Sequence, residues 1–441
     1  WAANKVVYQI FPSRFAATEP VDKELWYKAP ITPMDDLHGN LRGIIEHMDD
    51  IQNLGIDVLY MTPIFQSNSC HKYDTTDYYQ IDPSFGTTED LKELVQKAHE
   101  RGMKVVLDAV YNHTGREFFA FADILENGEK SKYRDWYFID GFPLKSEWGE
   151  IPNFKCFGYY GGMPKLNLKN PEVEKYITDV ACYWIKECDI DGWRLDVGDE
   201  ISHFFWKNFR KAVKAVKKDM LIIGEIWHYA GDFLEGDEWD TVMNYPFYLN
   251  LIDLLADEKI TVSQFVQNLG YLKGRLHKNC YPLMWNLIDS HDTARFLHLC
   301  NDNKKKQHLA AAFQLLLPGM PMIYYGDEYA MPGANDPDCR RGMYWDEEYQ
   351  DKEMYEWYKR LIQVRKSHAC IVEGELAGIV TEDEEGTVVL IRKNGEETIA
   401  MIFNCSSSAK KFNAYTEKYN LLTENTFDGN VEGFDAAVIV L

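Results

Sequence analysis

The chain has 441 residues, 46% of them hydrophobic, enough to bury one large domain and a smaller one. The 47 Lys and Arg against 70 Asp and Glu leave a formal charge of −23, which excludes a nucleic-acid partner, because such a partner needs a basic face. No run approaches the ~20 apolar residues of a membrane span, and the nine cysteines, odd in number and without CxxC or metal-ligand spacing, read as reduced core thiols.

Apolar, strand-like runs occupy 6–11, 58–63, 104–110, 193–197, 221–226, 241–245, 283–288 and 321–325. They are too continuous to be half-exposed, so they fit parallel strands covered on both faces. Helical stretches separate them. Positions 41–54 put Ile44, Ile45, Met48, Ile51 and Leu54 on one face, and Gly55 ends the run. Thr87 with Asp90 forms a capping box before 91–101, Asn170-Pro171 opens 173–186, and Thr261 with Gln264 is a second box. Eight strands interleaved with helices predict an α/β fold, a (β/α)8 TIM barrel.

Two stretches break the rhythm. After Thr114 the next strand is delayed by more than fifty residues rich in Gly, Pro and aromatics, too long for a structureless loop. From about Ser367 short alternating runs with Asn394-Gly395 and Asp428-Gly429 turns take over, the texture of an antiparallel β-sandwich. The expected domains are a barrel over 1–113 and 171–366, an inserted domain over 114–170 after the third strand, and a C-terminal β-sandwich over 367–441.

Four segments carry chemistry: DAVYNHTG (108–115), GWRLDVGDE (192–200), GEIWH (224–228) and NLIDSHDT (286–293). Barrel enzymes build their sites where strands end, and Asp108, Asp196, Glu225 and Asp292 lie at or near such ends. Arg194 precedes Asp196 by two, so strand alternation puts both on one face, where the guanidinium holds the carboxylate ionised, as a nucleophile requires. Burial among Ile223, Ile226 and Trp227 is expected to raise the Glu225 carboxyl and keep it protonated as a general acid. Paired carboxylates of this kind, one on each side of the scissile bond, are what glycoside hydrolysis needs.

In order and in content the four segments resemble the signature regions of the α-amylase superfamily of retaining glycoside hydrolases, and the inserted and C-terminal regions fall where that family has them. The resemblance implies Asp196 as the nucleophile, Glu225 as the acid/base and Asp292 as the clamp that stabilises the transition state. It implies Tyr73, His113, Arg194 and His291 around the same sugar, with Tyr73 as a stacking platform. MPKLN (163–167), HKYDTTDYYQIDPSFG (71–86) and NDPDCRRGMYW (335–345) are similar to the neopullulanase, cyclomaltodextrinase and maltogenic amylase branch. Within that branch Trp227 is the platform on the leaving-group side with Glu200 nearby, unless Glu200 is a solvated helix-start carboxylate; Asp336 and Arg340 grip the non-reducing end, and His228 is a further substrate-binding residue.

That branch implies cleavage of α-1,4-glucosidic bonds, with some α-1,6, in starch-derived oligosaccharides, pullulan or cyclodextrins. A glucanotransferase on the same scaffold and an inactive glycan-binding relative remain the alternatives. Members usually carry a further N-terminal sandwich that builds a dimer. This chain opens at the first barrel strand, at Trp1 and without Met or a signal-type segment, so a processed or trimmed form is expected, a monomer if that module is truly absent. A cytoplasmic location is expected, with a secreted form that lost its signal as the alternative.

Gly198, Asp199 and Asp289 depart from the branch pattern, and are expected near the leaving-group subsites. Calcium is the cofactor the superfamily implies, between Asn112 and an Asp in MPKLN. That Asp position is Lys165, and the second calcium loop reads Ala17-Thr18-Glu19, so no essential metal is expected.

Overall fold

In the computed structural model, which describes residues 1–145, 149 and 151–441, the eight apolar runs form eight parallel strands. They are β1 (Val7–Ile10), β2 (Val58–Met61), β3 (Lys104–Ala109), β4 (Gly192–Leu195), β5 (Leu221–Gly224), β6 (Thr241–Val242), β7 (Trp285–Asn286) and β8 (Met320–Tyr324). Neighbours in sequence pair in parallel from β1 to β6 and from β7 to β8, and β1 pairs with β8. A parallel bridge between Met243 and Trp285 completes the ring. This is the expected barrel. Val7, Val58, Tyr60, Val106, Ile223 and Met322 fill its interior, so it is a packed core and no pore.

Two strands keep only two residues of their apolar runs. The run at 241–245 pairs only over Thr241–Val242, because Asn244 caps a helix at Tyr245–Leu251, its side chain accepting from the Phe247 N–H. Before β7 a single tight turn, Tyr281–Leu283, takes up the start of the expected strand. The helix expected over 41–54 is two, Leu41–Glu46 and Met48–Leu54. They break at His47, whose ring stacks on Trp345 at 3.6 Å. Both capping boxes form, at Thr87 with Asp90 and at Thr261 with Gln264.

A hairpin follows β2, Phe65–Ser67 against Thr75–Ile81, and its loop carries Tyr73. Among its described residues the inserted segment holds a helix, Phe119–Asn127, and isolated bridges such as Tyr137 to Leu166 and Cys156 to Pro164 in place of a sheet of its own. A further bridge, His113 to Lys165, ties its end to the exit of β3. Residues 146–148 and 150 of this segment lie outside the described residues.

At the C-terminal end six antiparallel strands form one sheet, with Thr387–Asn394, Glu397–Asn404 and Asp435–Val440 at its centre. Its inner face packs on the barrel, where Phe403 stacks on Phe313 at 4.2 Å. The outer face, with Val389, Ala400 and Ile402, is covered by Phe427 and Val431 beside a two-stranded ribbon, Lys410–Lys411 with Asn430–Val431. The expected sandwich is therefore one broad sheet and a small ribbon, since the barrel covers the inner face. All nine cysteines are free. Among the described residues no helix is long and apolar enough to cross a membrane.

Candidate active site

The C-terminal ends of the strands meet in a cavity of about 430 Å³ that Tyr73, His113, Asp196, Glu225, Asp292 and Arg340 line. Arg194 organises its floor. Parallel register sets Asp108 of β3 beside Arg194 of β4. The Arg194 Nη1 donates to Asp108 at 3.0 and 3.1 Å and to Asp196 Oδ1 at 3.1 Å. Its Nη2 lies 2.9 Å from Glu225 Oε2 and 3.8 Å from Asp292 Oδ2. One fully buried guanidinium thus faces four carboxylates, the geometry in which a planar fork outperforms a point charge.

The acids differ in setting. Burial, reinforced by the nearby Glu225, pushes the Asp196 carboxyl well above the ordinary aspartate range, against the pull of Arg194. Its Oδ2 is buried and makes no hydrogen bond among the described residues. Glu225 sits among donors. Arg194 and the Val197 N–H, at 2.9 Å, meet its Oε2, and Trp227 Nε1 donates to Oε1 at 3.1 Å. The apolar pocket expected there is lined by donors instead. Val197 adopts φ +46°, a left-handed conformation costly for a β-branched residue, and it aims that N–H at Glu225.

Burial pushes the Asp108 carboxyl up to about 6, and Tyr60 and Tyr73 donate to its Oδ2 at 2.7 and 3.0 Å. Tyr73 lies parallel to the His291 ring, 5.6 Å between centroids, with its hydroxyl on His291 Nε2. On the far side Gln9 Nε2 donates to His291 Nδ1 at 2.7 Å, so the ring proton sits on Nε2. Burial holds His291 well below the usual histidine range, with Arg340 and Arg194 adding to the effect. His113, likewise buried and pushed down to about 4, bonds the Tyr73 carbonyl through Nε2 at 3.1 Å.

Asp292 lies 3.2 Å from His291 Nε2 and 3.5 Å from Arg340 Nη2. Arg340 in turn pairs with Asp336 at 2.8 Å and donates to the His291 carbonyl at 2.8 Å. At the opposite end Trp227 stacks on Tyr245 at 4.0 Å and leaves 40% of its surface exposed. His228 turns outward and pairs with Asp199 at 3.2 Å.

Two expectations need correction. Glu200 does not line the cavity; its carboxylate is taken by Lys165 Nζ at 2.9 Å and Asn112 Nδ2 at 3.1 Å, and Asp199 is the acid that turns to His228. Asp289 is no leaving-group residue. It is buried, accepts from the Phe296 N–H at 2.7 Å, and lies beside Asp327, which Arg295 holds at 3.0 Å. Burial raises both carboxyls, so one proton between them relieves the like-charge repulsion.

Sequence reasoning passed over His71, Phe157 and Met163, which also line the cavity, and gave no role to Asp108 or Gln9. His71 opens the HKYDT segment two residues before Tyr73, and membership of that motif was the usable signal. Phe157 and Met163 lie in the irregular insertion and carried none.

The alpha-amylase catalytic-domain family matches residues 9–374. A cyclomaltodextrinase of Geobacillus thermopakistaniensis (strain MAS1) is 45% identical over 441 residues, spanning 98% of this chain and 75% of its own. An intracellular maltogenic amylase of Bacillus subtilis is 42% identical over 409 residues, spanning 92% and 69%. The ligand-free cyclic α-maltosyl-(1→6)-maltose hydrolase of Arthrobacter globiformis superposes with a TM-score of 0.91 at 35% identity, over 100% of this chain and 99% of that one. A family match that runs from β1 to the end of the barrel, over a cavity floored by four carboxylates on one arginine, places the chain in the alpha-amylase family of glycoside hydrolases.

Proposed function

We propose that the enzyme hydrolyses α-1,4-glucosidic bonds, with some α-1,6, in starch-derived oligosaccharides, pullulan or cyclodextrins, with retention of configuration. The observation that carries this reading is the shared guanidinium: Asp196 and Glu225 both pair with Arg194, which holds the two carboxyls at one point of the cavity, and Asp196 keeps one oxygen unpartnered among the described residues. In the first step Asp196 Oδ2 forms a bond to the anomeric carbon as the glycosidic C–O bond breaks. The Glu225 proton goes to the departing oxygen. In the second step Glu225 takes a proton from water, the water oxygen attacks the same carbon, and the Asp196 ester bond breaks with its electron pair returning to the carboxylate. Asp292, His291 and His113 bond the hydroxyls of the reacting sugar, Tyr73 stacks on its face, and Arg340 with Asp336 holds the non-reducing end.

The names of the relatives support this substrate class: a cyclomaltodextrinase, a maltogenic amylase and a hydrolase of a cyclic maltosyl-maltose. The word intracellular in one of them supports a cytoplasmic location. The exposed ring of Trp227 favours a second reading, transfer to an acceptor sugar packed on that ring.

The same reading includes no essential calcium. The Lys165 ammonium donates to Asn112 Oδ1 and to the Glu200 carbonyl and carboxylate, at 3.1 and 2.9 Å for the latter two. The oxygens a divalent cation would need are already met by a cation, so these residues do not fit the metal.

Asp196→Asn and Glu225→Gln test the proposal. Each should lose nearly all turnover of maltotriose with the melting temperature kept, and full activity in either rejects the assignment.

A further inference from the structure

Trp227 lines two cavities. Beyond the reaction cavity a groove of about 410 Å³ runs between the loop at 227–229, the helix Tyr245–Leu251 and the helix Val262–Arg275. The reaction cavity has two distinct ends, the Asp336–Arg340 ion pair at one and Glu225 with Trp227 at the other. Because the departing oxygen takes its proton from Glu225, the sugars that leave extend past Trp227.

The surface of the groove suits a neutral sugar chain. Tyr271 is 67% exposed, a large amount for an aromatic ring on a helix. The Arg275 guanidinium lies 3.9 Å from the Tyr229 ring centre and 5.0 Å from that of Tyr271, so one cation holds both rings. The Tyr229 hydroxyl donates to the Arg275 carbonyl at 2.8 Å and fixes the pair further. Between these rings and Trp227 stand groups that bond hydroxyls: His228, Asp253 and Asn268, the last fixed by its own bond to Asn250 at 2.8 Å. Ring faces separated by a few polar groups are what a pyranose needs, since its C–H face packs on an aromatic face and its edge carries hydroxyls.

We propose that this groove binds the leaving-group portion of a linear α-glucan beyond Trp227, with Tyr271 as the distal stacking face. The proposal rests on the hydrolase reading above and adds to it a preference for longer chains.

The test compares kcat/KM for maltoheptaose and maltotriose in the wild type, Tyr271→Ala, Tyr271→Phe and Arg275→Gln. In Tyr271→Ala the ratio of long to short substrate falls about five- to tenfold, the worth of one stacked ring. Tyr271→Phe keeps the ring face and restores the ratio, and Arg275→Gln lowers it in the same direction by releasing the ring. Tyr271 is a surface residue, and unchanged melting temperatures check that each variant folds. If the wild type cleaves both substrates and Tyr271→Ala leaves the ratio unchanged, or Tyr271→Phe falls as far as the alanine variant, the groove assignment is overturned while the hydrolase reading stands. A wild type that cleaves neither substrate overturns both.

Discussion

Arg194 and Asp196 stand two residues apart on one face of the barrel interior, and their 3.1 Å contact ties a fully buried arginine to the proposed nucleophile. The same side chain holds Asp108 and Glu225. Replacing it by methionine leaves three buried acids without their counter-charge. Arg194→Met should cost about 3–5 kcal/mol in denaturant unfolding and abolish turnover. Arg194→Lys keeps the charge but loses the fork, so turnover should fall about 100-fold or more with a smaller loss of stability. Equal stability in all three proteins would show that the cluster does not need its guanidinium.

The pH dependence expected of the reaction follows from Asp196 as the proposed nucleophile. Its carboxyl is held above the ordinary aspartate range, and a nucleophile reacts only when ionised. The acid limb of kcat/KM should therefore lie clearly above pH ~4, the value for an ordinary aspartate. A profile still flat at pH ~4 would contradict this placement of the carboxylate.

Stability has its own pH signature at Glu328, which burial pushes up to about 7 although Tyr8 and the Gly326 N–H donate to it at 2.6 and 2.8 Å. The folded chain binds this proton more tightly than the unfolded chain. Its contribution is fully present below the unfolded value near ~4.3 and is lost as pH rises to about 7. Glu328→Gln cannot lose the proton, so its stability relative to wild type should rise across that window. A difference that is flat or falls between these limits would refute the assignment.

Gly198 is explained by packing. A Cβ there would meet the Trp239 ring at 2.8 Å, and that ring is itself stacked on Phe233 at 4.0 Å. Gly198→Ala should cost about 1–3 kcal/mol and lower kcat, because the Val197 N–H that holds Glu225 is the adjacent group. An unchanged melting temperature would show that Trp239 yields freely.

Lys165 offers the metal test. A chelator should leave the wild-type melting temperature and activity unchanged, whereas Lys165→Met, which strands Asn112 Oδ1 and Glu200, should lose about 1–3 kcal/mol. A sharp loss of activity on chelation would restore calcium to the site.

The barrel was legible because strands covered on both faces read as unbroken apolar runs, and the acids because each lies at or near the end of such a run. What stayed illegible depended on contacts made across the fold. His47 breaks a helix because its ring meets Trp345, a partner with no local signal. Asp289 sits three residues before Asp292, and only folding shows that it is buried in the core beside Asp327. Glu200 and Asp199 are neighbours with opposite partners, Lys165 and His228, a choice set by a tight turn that composition does not reveal. Asp108 was visible as a strand-end acid, but its tie to Arg194 came from strand register.

The central claim is that Asp196 forms the covalent bond to the sugar. The direct measurement is mass spectrometry of the protein after incubation with a 5-fluoro-α-glucosyl fluoride, a substrate that forms the intermediate faster than water can release it. One sugar should be found on the peptide that carries Asp196, and none on Asp196→Asn. A label on Glu225 or Asp292, or unlabelled protein that releases inverted product, would contradict the account.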